Sequence, residues 1–393
     1  MPSAFNPYNN ARFVSLLQHC VQNNGSDLHL KSKAVPKARI NLDIVPIAEF
    51  SEPTAEKEIN DFFTYLLALN PVTEKQAHSH FLEKHWTDFS FKLDDVASRG
   101  AAYLENNGLA IVVRFFYKKN VSLKNLGMEH VIPHLDQNSG LILLTGPTGS
   151  GKTTLAAAML EHLNTNFTGH IATMEDPIEY VLEERAARVT QRSIPAHVLT
   201  FSDGLKSMLR QDPDIVFVGE IRDTEVLREA LSAAESGHLV LSTLHASSVV
   251  DCYNRIFGLF EAADQKQVRN RMASMFNLII NQRLIRGADR QVVLVHELFF
   301  NSENTKNTIR GGELSGLNDN ILTNPKMVHW DKRLIELFEQ GKLDKPSFEA
   351  NVRDKETADR MLQQRKAANP IAHPAAAPGG LRRPSTGANP PPK

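Results

Sequence analysis

The residues Gly146-Pro-Thr-Gly-Ser-Gly-Lys-Thr153 have the types and spacing to bind phosphate. Glycine lets the backbone wrap closely enough for its N–H groups to surround phosphate oxygens. The N-terminus of a following helix adds partial positive charge. Lys152 is placed to reach β- and γ-phosphates, and the Thr153 hydroxyl to ligate Mg²⁺. The expected nucleotide-binding set is Gly146, Pro147, Thr148, Gly149, Ser150, Gly151, Lys152, Thr153 and Thr154. Its flanks are an apolar run, Gly140–Thr145, and a helical stretch from Thr154 to Leu163, the strand–loop–helix context that such a loop needs.

Three further segments carry acids and histidines. Asp214-Ile-Val-Phe-Val-Gly-Glu-Ile-Arg-Asp223 reads as a buried strand with Glu220 just past its end, where ligands of parallel sheets bind. A carboxylate there can hold Mg²⁺ through water or orient the attacking water. His170-Ile-Ala-Thr-Met-Glu-Asp-Pro-Ile-Glu-Tyr180 is a second strand ending in carboxylates, with Glu175, Asp176 and Glu179 in a turn set by Pro177. That cluster offers a general base and metal-shell oxygens. Gly237-His-Leu-Val-Leu-Ser-Thr-Leu-His-Ala246 places His238 and His245 at the two ends of a core strand, each expected to bond a γ-phosphate or a catalytic carboxylate. Their spacing does not make a zinc pair. The general base stays open between Glu179 and Glu220.

Alternating strands and helices from residue 127 predict a doubly wound, mainly parallel sheet. Strands are expected at 141–145, 169–174, 214–218 and 239–243, and helices at 152–163, 202–211, 224–236 and 265–283. Before that, helices at 11–22, 53–69 and 73–83 and strands at 26–30, 38–45, 88–93 and 109–116 predict a separate α+β domain over residues 1–116. Residues 117–126 are the expected linker and 127–330 the phosphate-binding domain. A helical region covers 331–366. The tail, 367–393, is rich in proline, alanine and glycine, and its composition predicts disorder.

The chain has 393 residues, a formal net charge of −1 and two cysteines, Cys20 and Cys252. Its pI of about 7.0 gives no bulk attraction to nucleic acid. Two cysteines make neither a disulfide framework nor a four-cysteine zinc site, and suggest a reducing compartment. The first residues lack the charged-then-apolar pattern of a signal peptide. No stretch approaches the roughly 20 apolar residues that span a bilayer, so no direct membrane insertion is expected. The expected location is cytoplasmic, with any membrane contact made through partners.

In this order the four segments resemble the Walker A, Asp box, Walker B and His box of the type II/type IV secretion ATPases. The resemblance extends to Ser26-Asp-Leu-His-Leu30, Asn281-Gln-Arg-Leu284 and His296-Glu-Leu298, and covers roughly residues 10–350. It is nearest to the PilT-like branch, which takes in pilus retraction ATPases and DotB/TraJ-type ATPases. The resemblance implies a RecA-like P-loop motor domain preceded by a PAS-like α+β domain, assembled as a homo-hexamer that hydrolyses ATP with Mg²⁺. It assigns Glu220 to Walker B, Glu175 and Glu179 to the Asp box, and His238 and His245 to the His box. It also implies that ATP lies against a neighbouring subunit's N-terminal domain, which would supply arginines; Arg99 and Arg114 are the candidates in this chain. Implied partners are an inner-membrane platform or pilus and secretion assembly proteins. The stretches Ile194–Asp203 and Met327–Asp331 are closer to DotB and TraJ, and Asn307–Gly316 keeps only Ile309-Arg310 of a retraction motif. These departures tilt the expectation towards type IV secretion or conjugation, with pilus retraction as the alternative. A nucleic-acid translocating RecA-like motor is the reading from another class.

Overall fold

The computed structural model describes residues 11–23, 25–40, 43–71, 73–93, 96–116, 121–289 and 291–368. Two sheets organise them. The first contains β1 (Asp27–Lys31), β2 (Lys37–Ile40), β3 (Asp43–Pro46), β4 (Trp86–Leu93), β5 (Val96–Glu105) and β6 (Gly108–Phe116), in the order β3-β2-β1-β6-β5-β4. Every neighbouring pair in it is antiparallel. Helices Ala11–Gln22 and Glu56–Ala68 bury Phe13, Leu16, Phe62 and Leu66 against Leu28, Leu30, Ile111 and Val113. The stretch expected as one strand, 38–45, is divided between β2 and β3, which pair with each other.

The second sheet contains β7 (Gly140–Thr145), β8 (His170–Glu175), β9 (Arg188–Ser193), β10 (Ile215–Val218), β11 (Leu239–Leu244), β12 (Phe276–Arg286) and β13 (Val292–Phe300), in the order β13-β12-β7-β11-β10-β8-β9. Neighbours from β12 to β9 run parallel, and only β13 is antiparallel to its partner. This is the mixed α/β fold with a parallel sheet that the alternating pattern predicts. Side chains of a strand alternate between faces, so a strand covered on both sides must be apolar throughout. Leu141, Leu143, Val216 and Val218 enter the core on one face. Ile142, Leu144, Ile215 and Phe217 enter the core on the other. Helices Phe201–Met208, Thr224–Glu235 and Val249–Gly258 each start on a side-chain cap, from Thr200, Asp223 and Ser248. Such caps stabilise a helix by about 1 kcal/mol each.

One expected helix is corrected. The pattern over 265–283 predicts a single helix, but the helix Ala262–Met275 ends there and Phe276 begins β12. Phe276-Asn-Leu-Ile-Ile is buried beside β7, and a short apolar run with β-branched residues suits a covered strand as well as a helix. Strands β5, β9, β12 and β13 were not among those expected.

Residues 121–126 of the expected linker pack on the second sheet, with Leu123 buried in its core; 117–120 lie outside the described residues. The region expected as helical, 331–366, forms Trp330–Glu339, Lys345–Asn351 and Lys355–Ala368. Trp330, Leu334, Ile335 and Phe348 make a separate small core there with Ile285 and Val295. The expected tail falls outside the described residues after Ala368. Among the described residues, no helix is long and apolar enough to cross a membrane.

Candidate active site

Strand β7 is buried along its whole length and delivers the glycine-rich loop at its carboxyl end. Gly146 has φ +146°, and a Cβ on it would lie 2.2 Å from the Gln282 carbonyl oxygen of β12, so only glycine fits. Gly151, at φ +86°, caps the helix Lys152–Asn166. The Gln282 amide donates to the Ser150 carbonyl (2.8 Å), bracing the loop from the adjacent strand. The Ser150 hydroxyl is buried without a protein partner. Lys152 Nζ donates to the carbonyls of Gly146 (2.9 Å) and Pro147 (3.0 Å). Burial lowers its pKa, while the nearby carboxylates of Glu220 and Glu179 act the other way. Pro147, Thr148 and Gly149 are exposed at the loop's crest. Thr154 Oγ1 lies 3.2 Å from the Tyr180 hydroxyl, which ties the helix to the Asp-box turn.

The neighbouring parallel strands end at the same side of the sheet and add carboxylates. Glu220 follows β10. Its Oε1 lies 3.1 Å from His245 Nε2, just past β11, and its Oε2 accepts from Arg222 Nε (2.7 Å). Arg222 also donates to Asp176 Oδ2 (3.2 Å), so one guanidinium joins the ends of β8 and β10. Glu175, the last residue of β8, is 6 % exposed and accepts from Thr173 Oγ1 (2.7 Å) and Gln191 Nε2 (3.1 Å). Burial pushes its pKa up to about 7 against those two hydrogen bonds. Glu179 accepts from the Thr153 hydroxyl, and burial pushes its pKa up to about 6. The charges of Arg114, Arg99 and Lys152 restrain that rise.

Arg99 and Arg114 come from the paired strands β5 and β6, where they stand opposite each other in register. Each is oriented by a carboxylate: Arg99 by Asp88 (2.9 Å) and Arg114 by Asp27 (2.8 Å). The positive charges of both lower the pKa of Glu179 in the same chain. A cleft of about 310 Å³ opens beside Arg99, between β4 and the turns at Asp176-Pro177 and Ile194-Pro195.

The two histidines part company. His245 meets Glu220, whereas His238 sits at the amino end of β11, with Nδ1 against the Ala233 carbonyl (2.9 Å) and Ser236 Oγ (3.1 Å). Its backbone carbonyl accepts from Gly140 N, at the start of β7, while the loop follows the far end of that strand. Six strand residues at about 3.3 Å each put roughly 20 Å between the two ends. The structure therefore does not bring His238 to the loop.

Arg222, Gln191, Asn281 and Gln282 are site neighbours to which the sequence analysis gave no role. An Asn281-Gln282 pair straight after the apolar Leu278-Ile-Ile of β12 was the available signal, because buried amides need partners.

A mixed α/β sheet with a phosphate loop and carboxylates at its strand ends defines a nucleotide hydrolase. Residues 90–313 match the type II/IV secretion system protein family, and the chain belongs to that family. It is an ATPase of that group. The chain is 38% identical over 314 residues to the type IV pilus retractation ATPase PilT of Pseudomonas aeruginosa, covering 79% of this chain and 88% of that one. The crystal structure of the pilus retraction motor PilT with bound ADP superposes with a TM-score of 0.78 at 31% identity, over 88% of this chain and 99% of that one. The ATPase DotB of Legionella pneumophila gives a TM-score of 0.74 at 24% identity over 89% and 96%, a likeness that shows the fold alone. The comparisons thus back the pilus-retraction alternative better than the DotB/TraJ-type reading that the sequence departures favoured.

Proposed function

We propose that the chain hydrolyses ATP at Gly146–Thr153 and powers retraction in a type IV pilus machine. The observation that carries the hydrolytic part is the hydrogen bond that Glu179 accepts from the Thr153 hydroxyl at the end of the phosphate loop, on a carboxyl whose pKa burial raises to about 6. A base that keeps some proton affinity yet is ionised at neutral pH suits the activation of water. Glu179 is therefore assigned as general base. Glu220, fixed by His245 and Arg222, is assigned to the metal shell. The oxygens of Thr153 and Glu220 fit Mg²⁺, a hard cation that takes phosphate and water as its other ligands. When bound, Mg²⁺ would neutralise charge on the β- and γ-phosphate oxygens. Lys152 would turn from the loop carbonyls to the phosphates, and the orphan Ser150 hydroxyl would gain a phosphate partner. Arg99 and Arg114, preset by their carboxylates, would face the transferred phosphoryl group from the first sheet.

The retraction assignment rests on the pilus relatives. A homo-hexamer acting at the inner membrane through platform and assembly proteins fits that assignment. Deletion of the gene, with complementation by the natural chain and by Glu220→Gln, tests it. Twitching should be lost, restored by the natural chain and not by the variant. Intact twitching with loss of conjugation or secretion would overturn retraction in favour of the DotB/TraJ-type role. Strong stimulation of ATP hydrolysis by single-stranded DNA would favour the nucleic-acid motor instead.

A further inference from the structure

Arg353 lies between the last two helices, outside all four motifs, yet its side chain ends beside the catalytic strand ends. Its Nη1 donates to Glu297 Oε2 (3.0 Å) on β13, and its Nη2 donates to Asn281 Oδ1 (2.6 Å) on β12 and to the Ser247 carbonyl. The guanidinium stacks over Trp330, with Cζ 3.9 Å from the ring centroid. Its backbone N–H donates to Asp331 (2.8 Å). A planar fork held by three acceptors and one aromatic face has a single orientation.

Each partner leads to the nucleotide site. Asn281 Nδ2 donates to Thr145 Oγ1 (2.9 Å), the residue before Gly146, and to the Ala246 carbonyl (2.9 Å), the residue after His245. Ser247 continues the same turn. Glu297 Oε2 accepts from Val249 N (3.0 Å), which begins the helix after that turn. Arg353 thus holds Ser247 directly and, through the Asn281 amide, both Ala246 next to His245 and the end of β7.

We propose that Arg353 is a positioning residue for ATP turnover, so that the helical layer after Trp330 is a working part of the site. His245 meets Glu220 only if its turn keeps its place, and displacements near 1 Å at a reacting centre cost up to about a hundredfold in rate. The inference rests on hydrolysis at Gly146–Thr153.

Arg353→Lys is the informative variant, because an ammonium can still neutralise buried Glu297 but cannot bridge Asn281 and Ser247 together. With the full chain, kcat should fall about ten- to hundredfold. KM for ATP and binding of a fluorescent ATP analogue should stay within about threefold, and the melting temperature should stay close to that of the natural chain. Asn281→Ala should lower kcat by a similar factor, and the double variant should be little worse than either single one. Normal kcat in a folded Arg353→Lys protein would overturn the proposal, as would fully multiplicative losses in the double variant. Lys152→Ala separates this from failure of the site assignment itself. If that variant hydrolyses ATP normally, the site is wrong; if it is inactive while Arg353→Lys is normal, only the role of Arg353 fails.

Discussion

Glu220 and His245 meet at 3.1 Å across the ends of two neighbouring parallel strands, and Arg222 holds the other Glu220 oxygen. Both oxygens of this carboxylate are therefore fixed before any ligand is considered. Glu220→Gln keeps the shape but removes the charge. ATP binding should persist, while hydrolysis should fall about a hundredfold or more. Titration with a fluorescent ATP analogue and a phosphate-release assay check the two halves. Normal turnover would refute the assignment.

Activity should carry an acid limb. A carboxylate base works only when ionised, and the Glu179 pKa is raised to about 6. The rate should therefore rise with pH through about 6 and level off above it. Removing the positive charges of Arg99 and Arg114 should raise that pKa further. In the Arg99→Ala/Arg114→Ala protein the limb should move to higher pH, and the plateau rate should drop. A pH–rate profile of single-turnover hydrolysis reads both effects, and an unmoved limb would argue against Glu179 as base.

Stability should respond to Glu175 in the opposite sense from an ordinary ion-paired acid. Its pKa is about 7 in the fold against 4.5 for a free side chain. Between those values the folded state binds more protons than the unfolded one, so stability falls as pH rises from 4.5 to 7. The loss accrues over that range, is complete above about pH 7, and amounts to on the order of 3 kcal/mol. Glu175→Gln keeps an acceptor for Thr173 and Gln191 and removes the ionisation. Its melting temperature relative to the natural chain should be more favourable at pH 8 than at pH 5. An equal difference at both pH values would contradict the raised pKa.

Truncation after Ala368 should leave the hydrolysis rate within about twofold, because the removed residues have a composition unsuited to a packed core. A steady-state assay on the shortened chain settles it, and a collapse in rate would assign the tail a function.

How far the site was legible depended on distance along the chain. The loop Gly146–Thr153 binds through its own backbone, so eight consecutive residues and their flanks were enough to see it. Glu175 and Glu220 were legible because one closes a buried strand and the other follows one, and parallel strands share one carboxyl end. His238 misled because the same strand has two ends, and a side chain at the amino end lies a strand's length from the loop whatever its chemistry. Strand β12 was hidden for a different reason: Phe276–Ile280 is apolar without a clear period, and the preceding helix runs straight into it. Arg353 lies 72 positions from Asn281, and no local pattern announces a contact of that separation. Arg99 and Arg114 were chosen from sequence, but their pairing with Asp88 and Asp27 needed the register of β1, β4, β5 and β6.

Lys152, finally, is already satisfied by the carbonyls of Gly146 and Pro147. An arriving phosphate must displace two intramolecular bonds, and a departing product lets them form again. The net grip of the lysine on nucleotide is a difference between two occupied states. The lysine therefore adds less to nucleotide affinity than its bonds to phosphate alone would suggest.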